Sequence, residues 1–173
     1  MRMLFELDQK DYSPNSPVRV RPSARAIIIK DGKVDMVHSK KYNYYKFPGG
    51  GIEADEREVD ALAREVQEEA GLSILADSVR EYGQARRIQK DDNDNIFIQD
   101  NYYFFCDVDE HVGQQNLDDY EADEGFTFQY IDPQTAIDAN RNSALTIDDF
   151  RKPMLERESR VLELLLSEGY FNS

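Results

Sequence analysis

Residues 50–72 read GGIEADEREVDALAREVQEEAGL. Within them Gly50, Glu56, Arg64, Glu65, Glu68, Glu69 and Gly71 follow the spacing G-x5-E-x7-R-E-U-x-E-E-x-G-U, with Val66 and Leu72 as the bulky aliphatics U. At roughly 6% per residue type, the seven fixed identities coincide by chance about once in several hundred million windows. The pattern is therefore a signal, and its local chemistry can be read directly.

The stretch predicts one helix. Asp55 is an N-cap residue type and Glu58 stands three positions on, as in a capping box, so the helix should begin near Glu56. Val59, Leu62, Ala63, Val66 and Ala70 recur at helical spacing and predict one apolar stripe facing a core. Gly71 closes the helix at its C-terminal turn. At about 100° per residue, Glu65, Glu68 and Glu69 share an arc of about 100° away from that stripe, with Glu58 close to the same face. Like charges four residues apart cost a few tenths of a kcal/mol per pair, which a bound cation would relieve. Clustered hard oxygen donors are what Mg2+ or Mn2+ takes. Pro48-Gly49-Gly50-Gly51 stops regular structure ahead of the helix and lets backbone approach a metal or phosphate, because no Cβ intervenes.

Outward from the helix, residues 3–8 read as an edge strand in an N-terminal extension over 1–18. The proline-rich YSPNSPVRVRP reads as an extended connection. SARAIIIK and KVDMVHS read as strands joined by an Asp31-Gly32 hairpin turn, and KYNYYKFPGGG as a loop. Further strands are predicted near 79–89, 95–108 and 126–131, with an acidic loop over 109–125. A short helix is expected over 133–140 and a C-terminal helix within 147–170. No repeat, linker or low-complexity tract divides the chain, so all of 1–173 is read as one α/β domain.

Composition narrows the function classes. The formal net charge is −14, which repels nucleic-acid backbones and anionic membranes and suits a phosphorylated small molecule only if a cation neutralises the site locally. No apolar run approaches the roughly 20 residues that span a bilayer, and the start MRMLFELDQKDY turns acidic too early for a secretory signal. The single cysteine, Cys106, sits in the apolar run YYFFCDV and reads as a buried thiol. A cytoplasmic protein is expected. His38 and His111 belong to no metal-binding spacing.

With these residues laid out, the stretch resembles the Nudix box, and the chain resembles the Nudix hydrolases, which cleave nucleoside diphosphates linked to another moiety. The resemblance is specific over the box and diffuse over roughly 20–140. It implies a Nudix-type α/β/α sandwich with a mixed central sheet, here with an added C-terminal helix. It implies that the Gly49 carbonyl with Glu65, Glu68 and Glu69 holds Mg2+ or Mn2+, that Glu65 activates water, and that Arg64 and Glu56 brace the loop against the helix, with Gly50 and Gly71 structural. Family members often take a further acid from outside the box; among Asp119, Glu121, Asp123 and Glu124, Glu124 is the choice. Homodimers are common in the family and are compatible with this chain.

Substrate contacts are sought among the aromatics before the glycines (Tyr42, Tyr44, Tyr45, Phe47) and the scarce cations Arg25, Lys40, Arg86 and Arg87. Arg25, Tyr45, Phe47 and Arg86 are taken as the substrate-binding set. No proline occurs between Pro48 and Pro133, which departs from the pattern of many ADP-ribose pyrophosphatases, and Tyr82 lies too early for the diadenosine polyphosphate hydrolase pattern. The implied reaction is hydrolysis of a diphosphate bond in a nucleoside triphosphate or nucleoside diphosphate derivative by attack of water on phosphorus. Two readings compete with it. One is a non-catalytic nucleotide-binding sensor that regulates a partner. The other is isomerisation of an isoprenoid diphosphate, which would need Cys106 as a reactive group in the pocket.

Overall fold

A computed structural model describes residues 1–109 and 113–172, so His111 lies outside the described residues. The elements run β1 (Met3–Asp8), β2 (Val18–Val20), β3 (Ser23–Ile27), β4 (Ile29–Lys30), β5 (Lys33–Ser39), β6 (Tyr44–Lys46), β7 (Gly49–Gly51), α1 (Glu58–Ala70), β8 (Arg80–Lys90), β9 (Ile96–Phe105), α2 (Asp119–Glu124), β10 (Phe126–Ile131), α3 (Pro133–Ser143) and α4 (Lys152–Ser167). The larger sheet has the order β1-β8-β9-β3-β7, with β2 also pairing β9. It is mixed: β1 is parallel to β8, β2 and β3 are parallel to β9, and β8/β9 and β3/β7 are antiparallel. The smaller sheet is antiparallel, with order β10-β5-β4 and β6 on β5.

Three local expectations are corrected. SARAIIIK is two strands, because the chain leaves the larger sheet after Ile27 and joins the smaller one at Ile29. KYNYYKFPGGG is not all loop. Its glycines form β7 antiparallel to β3, with Gly49 opposite Arg25. At φ 138° a Cβ on Gly49 would strike the Ala24 backbone carbonyl, so only glycine lets the strands approach there. The acidic loop contains α2, whose start is signalled by Asp118 with Glu121 three residues on; the Glu121 carboxylate accepts from the Asp118 N–H at 2.9 Å.

Helix α1 begins at Glu58, not near Glu56, and Arg57 occupies the N-cap. Asp55 has φ 63° and turns the chain ahead of the helix, while the Glu56 carboxylate accepts from the Glu53 N–H at 2.9 Å. Leu62, Val66 and Ala70 pack against Ala24, Ala26 and Phe104 as the stripe predicts. Val59 and Ala63 are exposed, however, and Ala61 is buried in their place. Glu69 is buried on the same side of the helix, where the Gly49 N–H of β7 and Lys46 of β6 meet its carboxylate. Gly71, at φ 69°, closes the helix by donating to the Gln67 carbonyl at 2.9 Å.

On the other face of the sheet, Ile137 of α3 and Val161, Leu162 and Leu165 of α4 cover Ile27, Ala85 and Tyr103. The result is an α/β/α sandwich. No helix among the described residues is long and apolar enough to cross a membrane.

Candidate active site

Two elements from the far layer hold the glycine loop in place. Asn140 of α3 clamps the Tyr45 backbone, its Oδ1 accepting from the N–H at 2.7 Å and its Nδ2 donating to the carbonyl at 2.9 Å. Glu158 of α4 accepts from the Phe47 N–H at 2.6 Å. The C-terminal helix therefore fixes the segment that enters Pro48-Gly49-Gly50. Its sequence carried a sign of this: Arg157 and Glu158 interrupt the apolar positions of a helix that is otherwise leucine-rich.

Around the glycines the box residues converge. Arg64 donates to both oxygens of Glu56 at 2.9 and 3.0 Å and to the Gly51 carbonyl at 3.0 Å, tying helix to loop. The Arg64 fork first, and the Glu53 N–H after it, hold the Glu56 carboxyl down at about 2. Arg64 also reaches Glu65 at 2.8 Å and Glu68 at 3.3 Å. A methyl on Gly50 would collide with the Glu65 carboxyl, so this glycine is the cradle for that side chain.

The carboxylates do not all face outward as the helical arc suggests. Glu68 is 38% exposed, Glu65 only 15% and Glu69 1%. Glu69 accepts from Lys46 Nζ at 2.8 Å and from the Gly49 N–H at 2.9 Å. Burial pushes the Glu65 carboxyl above its ordinary range and the Glu69 charge adds to that, while Arg64 opposes both.

Lys46 and Arg25 connect this cluster to a cavity of about 590 Å³ between the sheets and α4. Arg25 Nη1 donates to the Gly49 carbonyl at 2.8 Å. Six cationic side chains line the cavity: Arg21, Arg25, Lys46, Arg87, Arg151 and Arg157. Tyr44, Tyr120 and Phe126 contribute aromatic walls. Asp92, Glu124 and Asp148 line it as well, so the lining carries three more cations than carboxylates in a chain whose net charge is −14.

The donor set around the glycines fits a hard divalent cation in kind. It is made of carboxylate and carbonyl oxygen, Glu65 and Glu69 repel each other, and Glu121 of α2 is pushed up by burial and by the Glu69 charge. Among the described residues no three His, Cys, Asp or Glu side chains are grouped to hold an ion, and cations sit on the donors: Arg64 on Glu65 and Glu68, Lys46 on Glu69, Arg25 on the Gly49 carbonyl.

The NUDIX domain family profile matches residues 20–155, well over half of the chain. The chain belongs to the NUDIX family. A MutT-like protein of Streptomyces ambofaciens is 27% identical over 77 residues, covering 44% of this chain and 50% of that protein. The chain thus spans about half the length of this curated relative. A MutT NUDIX hydrolase from Burkholderia pseudomallei superposes with a TM-score of 0.52 at 17% identity, covering 67% of this chain and 85% of that one. A MutT protein from Bacillus halodurans gives 0.51 at 14%, covering 79% and 80%. Both likenesses concern the NUDIX fold.

Several residues expected at the NUDIX site lie elsewhere. Phe47 is fully buried, edge-on to Tyr103 at 5.5 Å, and is core. Tyr45 is buried too, stacked on His38 at 4.5 Å, and its hydroxyl accepts from Gln129. Neither lines the cavity; Tyr44, the alternate residue of β6, does. Arg86 points to the opposite face of β8 and pairs with Asp100 at 2.8 Å, whereas Arg87 enters the cavity. Only Arg25 of the expected substrate set is there. Glu124 is buried against Arg151 at 2.7 Å, Tyr44 at 2.5 Å and Ser39 at 3.2 Å, so it lines the cavity and not the box. Glu121, three residues earlier and one helical turn round, is the acid that faces Glu69. Cys106 lies in the core beneath α1 and burial pushes its thiol up to about 12, which removes the reactive cysteine that an isomerase would need.

Proposed function

We propose that the chain hydrolyses a diphosphate bond in a nucleoside triphosphate or nucleoside diphosphate derivative, with water attacking phosphorus. One observation carries the reading: Lys46 on Glu69 and Arg25 on the Gly49 carbonyl join the box to a cation-lined cavity in a chain of net charge −14. Such a cavity attracts a polyanion that the remaining surface repels. Arg25 and Lys46 would hold phosphoryl oxygens, and Tyr120, exposed at the cavity, would flank the organic moiety. Glu65, cradled at Gly50, would take the proton of the attacking water. Arg64 would position Glu65 and Glu68 from its anchor on Glu56. Mg2+ or Mn2+ held by Glu65, Glu68, Glu69 and the Gly49 carbonyl would polarise the phosphoryl group and lower the pKa of water. Glu121 replaces Glu124 as the proposed further acid. A small phosphorylated substrate and a cytoplasmic setting complete the proposal.

The test is product release from nucleoside di- and triphosphates, dinucleotides and nucleotide sugars with Mg2+ and Mn2+. Glu65→Gln should lower kcat by about 10²–10⁴-fold, the range for loss of a general base. No turnover of any compound, or an unchanged rate in Glu65→Gln, would refute the assignment. A sensor that binds without hydrolysis is the second reading, favoured by the cations already seated on every box carboxylate. Saturable binding with no turnover at any metal concentration would establish it.

A further inference from the structure

The six cations of the cavity are not equivalent. Arg157 is neutralised by Glu158 at 2.5 Å and anchored on Gln99 at 2.9 Å. Arg151 pairs with Glu124 and Asp148, and Lys46 pairs with Glu69. Arg87 has no ion pair or hydrogen bond among the described residues. Its guanidinium packs against the rings of Phe97 and Phe150, at 5.2 and 5.4 Å, and the two rings touch each other at 5.9 Å. It is only 5% exposed and its Nε is buried without a partner; Arg25, 7% exposed, leaves its Nε in the same condition. Burial, Arg157 and Arg25 together push Arg87 down to about 9, so it stays charged at neutral pH. An unpaired buried charge is among the most destabilising features a fold can carry, and a structural role is served better by an apolar side chain.

Sheet register separates this group from the box. Arg87 pairs with Gln99 of β9, while Arg25 pairs with Tyr103, two strands and four residues away. At ~4.8 Å per strand and ~3.3 Å per residue, the two Cα atoms are about 16 Å apart, and Gly49, one strand beyond Arg25, is about 20 Å from the Arg87 Cα, so Arg87 stands on the side of the cavity away from the box. A group held by Arg87 is therefore not the phosphorus attacked at the box. The guanidinium fork matches phosphoryl oxygens bidentately, and the two adjoining rings give it cation–π support in place of an anion.

We infer that Arg87, with Arg157 beside it, binds a phosphoryl group of the substrate remote from the bond cleaved, which makes the substrate an organic polyphosphate with such a distal group. The inference rests on the hydrolase reading for which bond is cut; the anion site itself does not. The two can fail separately.

The binding arm uses metal-free protein in EDTA and inorganic tripolyphosphate and orthophosphate, by calorimetry. Wild type should bind tripolyphosphate, and Arg87→Met should weaken it at least tenfold. Arg160→Met, which removes a surface arginine paired with Glu156, should leave it unchanged. Arg87→Met should also melt at the same temperature as wild type or higher, because it removes an unpaired buried charge while keeping most of the volume; a structural arginine would melt lower. The kinetic arm compares substrates matched except for the distal phosphoryl. Arg87→Met should raise KM for the compound that has it and leave KM for the other alone, which separates a substrate group from free orthophosphate. No binding by wild type, equal binding by Arg87→Met, a fall in Tm of more than about 4 °C, or an equal KM change for both substrates overturns the site. If binding behaves as expected and no compound is turned over, the hydrolase reading fails and the anion site stands.

Discussion

Lys46→Met is the substitution that interrogates the site most directly. Lys46 and Glu69 are 7% and 1% exposed, their charged atoms are 2.8 Å apart, and Lys46 Nζ also sits 4.5 Å above the Phe126 ring. Methionine keeps the length and removes the charge. Glu69 retains the Gly49 N–H but loses its counter-ion, and removing one partner of a buried pair destabilises by about 3–5 kcal/mol. For a chain of this size that is a fall in Tm of about 6–20 °C, at about 2–4 °C per kcal/mol. Thermal melts in EDTA should show it. The same melts with Mg2+ or Mn2+ should then recover part of the loss, because Glu69 without its lysine is free to ligate; at a hundred times Kd the recovery is about 2.7 kcal/mol. Wild type should gain less, since there the metal must displace Lys46. A loss below about 1 kcal/mol would show that the pair behaves like a surface bridge. A full loss with no recovery by either ion would refute Glu69 as a metal ligand.

Gly50→Ala places a methyl against the Glu65 carboxyl at a backbone angle alanine can adopt; kcat should fall by about 10²-fold, as for a misplacement of about 1 Å, with far-UV circular dichroism unchanged. Asp35 is buried with one carboxylate oxygen unpartnered, and burial raises its carboxyl to about 7 from an ordinary 3.8. The folded state thus holds this proton more tightly than the unfolded chain. Its contribution is fully present below about pH 4 and is lost as pH rises through 7. Asp35→Asn should therefore gain stability relative to wild type across that window in urea titrations; parallel pH profiles for the two proteins would contradict the assignment.

Some of this was legible in one dimension. The α1 helix, its Gly71 stop, the Asp31-Gly32 hairpin and the β8/β9 pair follow from local periodicity and turn chemistry, which act over a few residues. The N-terminus of α1 is ambiguous in the sequence because Asp55 suits both a cap and a left-handed turn, and in the fold it takes the turn while Glu56 pairs with Arg64. Tyr45 and Phe47 were indistinguishable in sequence from Tyr44, since three aromatics in a glycine-rich segment do not reveal which way a short strand faces. Arg86 and Arg87 differ only in strand parity, and that depends on the register of β8 against β9.

By itself, then, the sequence determined the family, the box and the identity of its acids, because those are set by spacing along one helix. Tertiary structure alone decided what surrounds them: Lys46 on Glu69, Arg25 on the Gly49 carbonyl, Glu158 beneath Phe47, and Arg87 unpaired at the far end of the cavity. Charges from β3, β6, β8 and α4 meet there across long separations in the chain, and the energy of a buried charge depends on what packing places beside it, not on its neighbours in sequence.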